Sequence, residues 1–154
     1  MRKLLNLDPA ILKELFKKAE SSERKRANYI LRSSNNGEIP AIMFNVLLPG
    51  TYLRPHRHPS EGGKDIWIPL SGRIKAIIFD ESGNIYETYL LSTSEVAYLE
   101  IPPNTYHSLI VLEPAVLCEL YMGVYNPTTY KEFASWAPPE ENSNHQDYLN
   151  SLGR

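Results

Sequence analysis

Gly50-Thr51-Tyr52-Leu53-Arg54-Pro55-His56-Arg57-His58 holds two of the chain's four histidines two positions apart. Side chains on an extended backbone alternate with period 2, so His56 and His58 point to one face. Further on, Asp65 opens the apolar run Asp65-Ile66-Trp67-Ile68-Pro69-Leu70, and His107 follows Ile101-Pro102-Pro103-Asn104-Thr105-Tyr106. Taken singly, each histidine reads as an exposed strand residue or a satisfied core residue. Together, three imidazoles and one carboxylate suit a divalent transition ion such as Zn, Fe, Mn, Ni or Co, and these ligands do not choose among them.

Around this segment, apolar stretches rich in β-branched and aromatic residues recur about every ten residues. They predict strands at 41–48, 66–70, 74–79, 85–91, 96–101, 108–111 and 116–122, with bends at Gly50, Ser71-Gly72 and Ser82-Gly83-Asn84. Short strands at that spacing predict an all-β sandwich or barrel. Before them, Asp8-Pro9 predicts a helix start, and Leu12, Leu15, Phe16 and Ala19 mark one apolar face. The helix is expected to fade near Ser21-Ser22, with a further turn through Arg26, a short strand at 29–32 and a turn at 33–37. After the strands, Asn126-Pro127-Thr128 predicts a cap for a last helical turn at 129–136. The polar stretch 138–144 predicts a loose tail, with His145 in solvent. The expected organisation is a helical extension at 1–38, a barrel at 39–125 and a C-terminal turn and tail at 126–154.

The 154 residues suit one domain that buries its own core, about 70% of its unfolded surface. The single cysteine, Cys118, cannot form an internal bridge and reads as a small buried hydrophobe. With no signal peptide or membrane span legible, the expectation is a cytoplasmic protein. A net charge of −2 gives no general attraction to nucleic acid, and the cluster Lys17, Lys18, Arg24, Lys25 and Arg26, interrupted by Glu20 and Glu23, reads as a solvated helix face.

These residues resemble the cupin superfamily. Its first motif places glycine, five residues, His-x-His, a short gap, an acid, six residues and glycine, matched here by Gly50, His56, His58, Asp65 and Gly72. Its second motif, Pro-x-Gly-x-x-His, is matched by Pro102 to His107 with Asn104 in the glycine slot, and Asn is the usual substitute where a turn needs a left-handed residue. The acid is Asp where the family has Glu, and the gap after His58 is longer than usual. Glu61 is therefore an alternative acid, although the count back from Gly72 favours Asp65. Within the superfamily the chain is most similar to the WbuC family of cupin-fold metalloproteins, small bacterial proteins associated with surface-polysaccharide biosynthesis. The likeness runs through Arg24-Lys25-Arg26-Ala27-Asn28, the His-x-His segment, Ile101 to Ser108, and Phe133-Ala134-Ser135-Trp136-Ala137-Pro138-Pro139-Glu140. It implies a double-stranded β-helix (jelly-roll) barrel holding one divalent metal on His56, His58, Asp65 and His107. By analogy with related barrels it also implies a homodimer.

Period 2 places Trp67 on the side of Asp65, Leu109 on that of His107, and Tyr52 and Arg54 on that of His56 and His58. The expected substrate pocket therefore has Trp67 and Tyr52 as aromatic wall and Arg54 as an anion clamp, with Tyr106 or Tyr52 able to move a proton. Three imidazoles and a short carboxylate leave coordination positions open, the mark of a catalytic metal. The first functional reading is a metal-dependent isomerase or epimerase on a small oxygen-rich substrate such as a sugar or sugar nucleotide. With Fe(II) the site would suit a dioxygenase. The other readings are a metal- or sugar-binding module without turnover and a purely structural metal.

Overall fold

The computed structural model describes residues 6–32, 39–59 and 63–153. The turn expected at 33–37 and the alternative acid Glu61 lie outside these residues. Asp8 caps the first helix, accepting from the backbone N–H groups of Ala10 (2.8 Å) and Ile11 (3.0 Å), donors that have no partner within the helix. Helix α1 spans Pro9–Ser21. The further turn through Arg26 does not form: Lys25 takes φ 55° and turns the chain into β1, Arg26–Arg32.

The remaining strands are β2 (Ala41–Leu47), β3 (His56–Arg57), β4 (Lys64–Phe79), β5 (Ile85–Leu91), β6 (Leu99–Ile101), β7 (Tyr106–Met122) and β8 (Glu132–Phe133), followed by helix α2 (His145–Leu152). β4 and β7 each fuse two of the strands predicted separately. They run antiparallel along their whole length, from Lys64 opposite Met122 to Phe79 opposite Tyr106. Between Pro69 and Ile74 the register shifts three times. Such bulges bend a ladder without ending it, so the turn signal at Ser71-Gly72 marks a corner inside one strand. On one side of the corner β7 pairs with β2, β2 with β1, and β4 with β6. On the other side β7 pairs with β3, β3 with β8, and β4 with β5.

Both halves close on one core. Leu47, Trp67, Ile101 and Leu117 from the first half meet Ile74, Ala76, Leu91, Leu109 and Val111 from the second. Outside the first half, Leu15 and Ala19 of α1 cover Val46 and Val116, as the apolar stripe predicted. Outside the second half, Ala134, Ala137 and Leu152 cover Ile77 and Phe79. The C-terminal helix is thus at 145–152 rather than 129–136, where turns lead into β8. Burial of Leu149 and Leu152 holds the segment expected to be loose. His145 is half-buried, its ring stacked on Tyr52 at 5.3 Å, rather than free in solvent. No described helix is long and apolar enough to cross a membrane.

Gly72 makes the corner at φ 74°, and a Cβ there would overlap the Pro114 carbonyl oxygen and come within 2.6 Å of Ala115 Cα. Both obstacles are backbone of β7 and cannot rotate away. Gly72→Ala is expected to cost about 3 kcal/mol or more from strain and overpacking together. At ~2–4 °C per kcal/mol for a domain of this size, that is a melting temperature lower by roughly 10 °C. Gly50 also has positive φ (93°), but its Cβ would meet only Lys25 Cγ at 3.9 Å. Gly50→Ala should therefore cost only about 1 kcal/mol, the left-handed backbone penalty alone. Thermal unfolding of the two variants side by side checks the ranking, and equal losses would contradict it.

Candidate metal centre

The site is assembled from both ends of the β4–β7 ladder. β3 lies between β7 and β8, which sets His56 directly across from His107 with ring centroids 4.4 Å apart. His58 lies just beyond β3, and its carbonyl accepts from Asn104 N–H at 2.9 Å. Asn104 has φ 60°, the left-handed turn expected of the glycine slot, so the turn before β7 braces the His56–His58 segment. Asp65 comes from the start of β4. One ligand-capable atom from each of His56, His58, Asp65 and His107 lies within 4.8 Å of the others, and all four residues are buried.

Each imidazole is oriented by a backbone carbonyl. His56 Nδ1 is 2.9 Å from Arg54 O, His58 Nδ1 is 2.6 Å from Tyr130 O, and His107 Nδ1 is 2.8 Å from Thr105 O. A carbonyl only accepts, so all three Nδ1 atoms carry the proton and donate it. That tautomer leaves each Nε2 as the metal-binding lone pair, the arrangement seen where an outer hydrogen bond fixes a ligating histidine. Asp65 Oδ2 lies 2.9 Å from His58 Nε2 and 3.4 Å from His107 Nε2. Asp65 Oδ1 and His107 Nε2 are buried and have no hydrogen-bond partner among the described residues. Unmatched buried atoms of this kind are costly unless something binds them, and a divalent cation satisfies both. The donor set fits such an ion.

The charges follow from the same geometry. Burial opposes a proton on His58, but the hydrogen bond and charge of Asp65 outweigh it and raise the histidine's pKa. Burial pushes His56 well below the ordinary histidine value, helped by the nearby charges of Lys131, His107 and His58. Burial acts to raise Asp65, yet His107 and His58 hold its carboxyl well below the usual range. A proton taken up at this site is therefore held on His58 against an ionised Asp65, and an arriving metal must displace it.

A cavity of about 330 Å³ adjoins the cluster, with His56, Trp67, Leu109 and Leu117 in its lining. Trp67 packs edge-on to His107 at 5.5 Å, so period 2 placed Trp67 and Leu109 correctly. It failed for Tyr52 and Arg54. The cavity is lined by Thr51, Leu53 and His56, so the alternation slips at Arg54-Pro55, ahead of the first paired residue, His56. Tyr52 is turned outward, where its hydroxyl donates to Pro138 O at 2.8 Å. Arg54 donates to Ala134 O (3.0 Å) and Ala137 O (3.1 Å), bracing the C-terminal segment instead of clamping an anion. Tyr106 packs against Trp136, and its hydroxyl donates to Glu132 at 3.2 Å. None of these three lines the cavity. Cys118 is half-buried, and burial raises its thiol pKa, against a thiolate role.

The cavity also holds residues that the sequence reading passed over. Glu119 and Tyr121 share the Leu117 side of β7. Glu119 Oε2 accepts from Asn45 Nδ2 at 3.0 Å, and burial together with the Asp65 charge pushes the Glu119 carboxyl up to about 7. An acid at the cavity parity of an otherwise apolar strand was the available signal. Lys131 also lines the cavity, and burial lowers its pKa against the pull of Glu119 and Asp65. It lies outside any periodic segment, and no sequence pattern marks it.

Among solved structures the chain is similar to the capsular polysaccharide assembling protein CapF from Staphylococcus aureus, with 16% identity and a TM-score of 0.61 over 73% of this chain and 30% of that one. It is also similar to KdgF from Halomonas sp., with 16% identity and a TM-score of 0.54 over 70% of this chain and 87% of that one. A third likeness is to a variant of oxalate decarboxylase from B. subtilis, with 19% identity and a TM-score of 0.52 over 70% and 27% of the two chains. The chain thus spans about a third of the length of CapF. At these identities the likeness establishes the fold alone, and that fold is the cupin barrel. No curated protein sequence matches the chain. The family described as a domain of unknown function, DUF6016, matches residues 7–91, more than half of the chain, and the chain belongs to that family.

Proposed function

We propose that the chain is a divalent-metal-dependent enzyme acting on a small oxygen-rich molecule of the sugar class. One observation carries this reading: three imidazoles fixed through Nδ1 by backbone carbonyls gather with Asp65 beside a cavity, each of the four offering a ligand atom within 4.8 Å of the others. His56, His58, Asp65 and His107 would hold the ion. A bound divalent ion supplies Lewis acidity, polarising a carbonyl or lowering the pKa of a bound water. Trp67 walls the cavity beside His107, and Glu119, with a carboxyl near 7, can give or take a proton close to neutrality. Isomerisation or epimerisation beside a carbonyl needs those two capabilities together. The likeness to WbuC-type cupins, and the fold shared with a capsular polysaccharide assembling protein, support sugars as the substrate class.

Metal analysis of protein purified without a histidine tag should find close to one equivalent of a transition metal, and His58→Ala should lose most of it while staying folded. Less than about a tenth of an equivalent, with none taken up on titration, would sink the metal reading. If chelation instead lowered the melting temperature by tens of degrees, the ion would be structural rather than catalytic.

Metal affinity should also depend on pH with a definite sign. The raised pKa of His58 keeps its proton to higher pH than an ordinary histidine, so metal and proton compete there as pH falls. His56, shifted downward, adds no such competition near neutrality. Below the pKa of His58, affinity should drop about tenfold per pH unit, the effect of one displaced proton. Competition titrations against a chromophoric chelator between pH 5 and 8 read this slope; a flat profile would contradict a proton held on His58.

A further inference from the structure

The cavity wall carries more hydrogen-bond donors than it satisfies. Lys131 is half-buried, and among the described residues its ammonium has no hydrogen bond and no ion pair within 4 Å; the ring of Tyr130 lies 5.4 Å away. Trp67 is 2% exposed, and its indole N–H has no acceptor among the described residues. Among the described residues the side-chain amide of Asn28 donates only to Met43 Sδ at 3.3 Å, a weak acceptor. At the rim, Arg24 and Arg26 share the single carboxylate of Glu140, at 2.8 and 2.6 Å. The carboxylates whose charges act on Lys131 are Glu119 and Asp65 and, less strongly, Glu140, which is already held by the two arginines. One oxygen of Glu119 is taken by Asn45, and Asp65 is directed at the histidines. With a divalent ion on the cluster, positive groups outnumber negative ones around the cavity. Leu47, Leu53, Leu109 and Leu117 supply apolar wall, and Tyr121, Tyr125 and Tyr130 also border the cavity. Such a half-buried ammonium is costly without a counter-charge, so the ligand is the natural source of one.

We infer that the cavity binds a small hydroxylated oxyanion, a carboxylate or a phosphate monoester, with its anionic group on Lys131. Its hydroxyls reach the metal, the free oxygen of Glu119 and the indole N–H of Trp67. A volume of about 330 Å³ is at the low end for ligand sites, which favours a molecule of monosaccharide size over a whole sugar nucleotide. The inference rests on the metal-site reading for the hydroxyl end and on Lys131 for the anionic end.

The test is calorimetric titration of the zinc-loaded protein, dialysed free of unbound zinc, with glucitol, gluconate and glucitol 6-phosphate, and of the zinc-free protein in parallel. At least one anionic probe should bind about tenfold or more tighter than neutral glucitol, the size of one charge-assisted hydrogen bond. Whether gluconate or the phosphate gains more identifies the anionic group. Lys131→Met should abolish the preference with zinc stoichiometry unchanged, and Lys131→Arg should keep most of it. Equal binding of all three probes, no binding at roughly 10 mM, or a preference that survives Lys131→Met overturns the inference. Failure to take up zinc sinks the metal reading instead; a Lys131-dependent preference in the zinc-free protein would then still support the anion site, and its absence would overturn that too.

Discussion

Asp65 and His107 belong to opposite ends of one antiparallel ladder, and the fold is built around closing that gap. Residue 78 is the β4 partner of His107, and thirteen residues of a straight strand would set it roughly 44 Å from Asp65. Asp65 Oδ2 and His107 Nε2 are instead 3.4 Å apart. The three register shifts between Pro69 and Ile74, with Gly72 pressed on the Pro114 carbonyl, fold the ladder back on itself. Every other strand hangs on β4 or β7, directly or through β2 or β3. Both sheet halves and the shared core are therefore oriented by the same corner that brings the site together. Glycine at position 72 is as much a part of the site as the histidines, although it touches none of them.

The corner sets distances; backbone carbonyls set direction. Arg54 O, Tyr130 O and Thr105 O each accept from one Nδ1–H. Because main-chain atoms make these bonds, the orientation depends on the path of the chain and tolerates change in the side chains that lend their carbonyls. That explains why Arg54 could be misread from sequence. Its carbonyl orients His56, while its guanidinium ties down Ala134 and Ala137. The residue serves the site from behind rather than from within the cavity.

How far the molecule was legible in sequence follows from which forces are local. The His-x-His pair, Asp65, Trp67 and the left-handed Asn104 are statements about strand parity and turn geometry, and these are short-range. The α1 stripe is equally local, and its buried face is Leu15 and Ala19 as the spacing required. Parity failed where no ladder enforces it, across Thr51 to Pro55, and that displaced Tyr52 and Arg54 from their expected places. The strands at 66–70 and 74–79 read as separate because a bulge and a chain reversal carry the same Ser-Gly signal. Helix α2 has no side-chain cap hydrogen bond, and Leu149 and Leu152 are its buried anchors. Tertiary burial decides such a segment, and no local pattern announces it.

The division of labour inside the chain bears on specificity. The family match covers 7–91 and so includes His56, His58 and Asp65, whereas His107, Glu119 and the C-terminal segment lie beyond it. Tyr130 orients His58 through its carbonyl, and the next residue, Lys131, lines the cavity. Ala134 N–H then donates to Pro55 O at 2.9 Å, tying the segment to the residue before His56. A shift of this strap would move a metal ligand and the half-buried cation together. The orientation of His58 and the position of the half-buried Lys131 are thus coupled through the five residues from Tyr130 to Ala134: a change in the path of the strap moves both, whereas a change confined to the Lys131 side chain leaves the metal ligand in place.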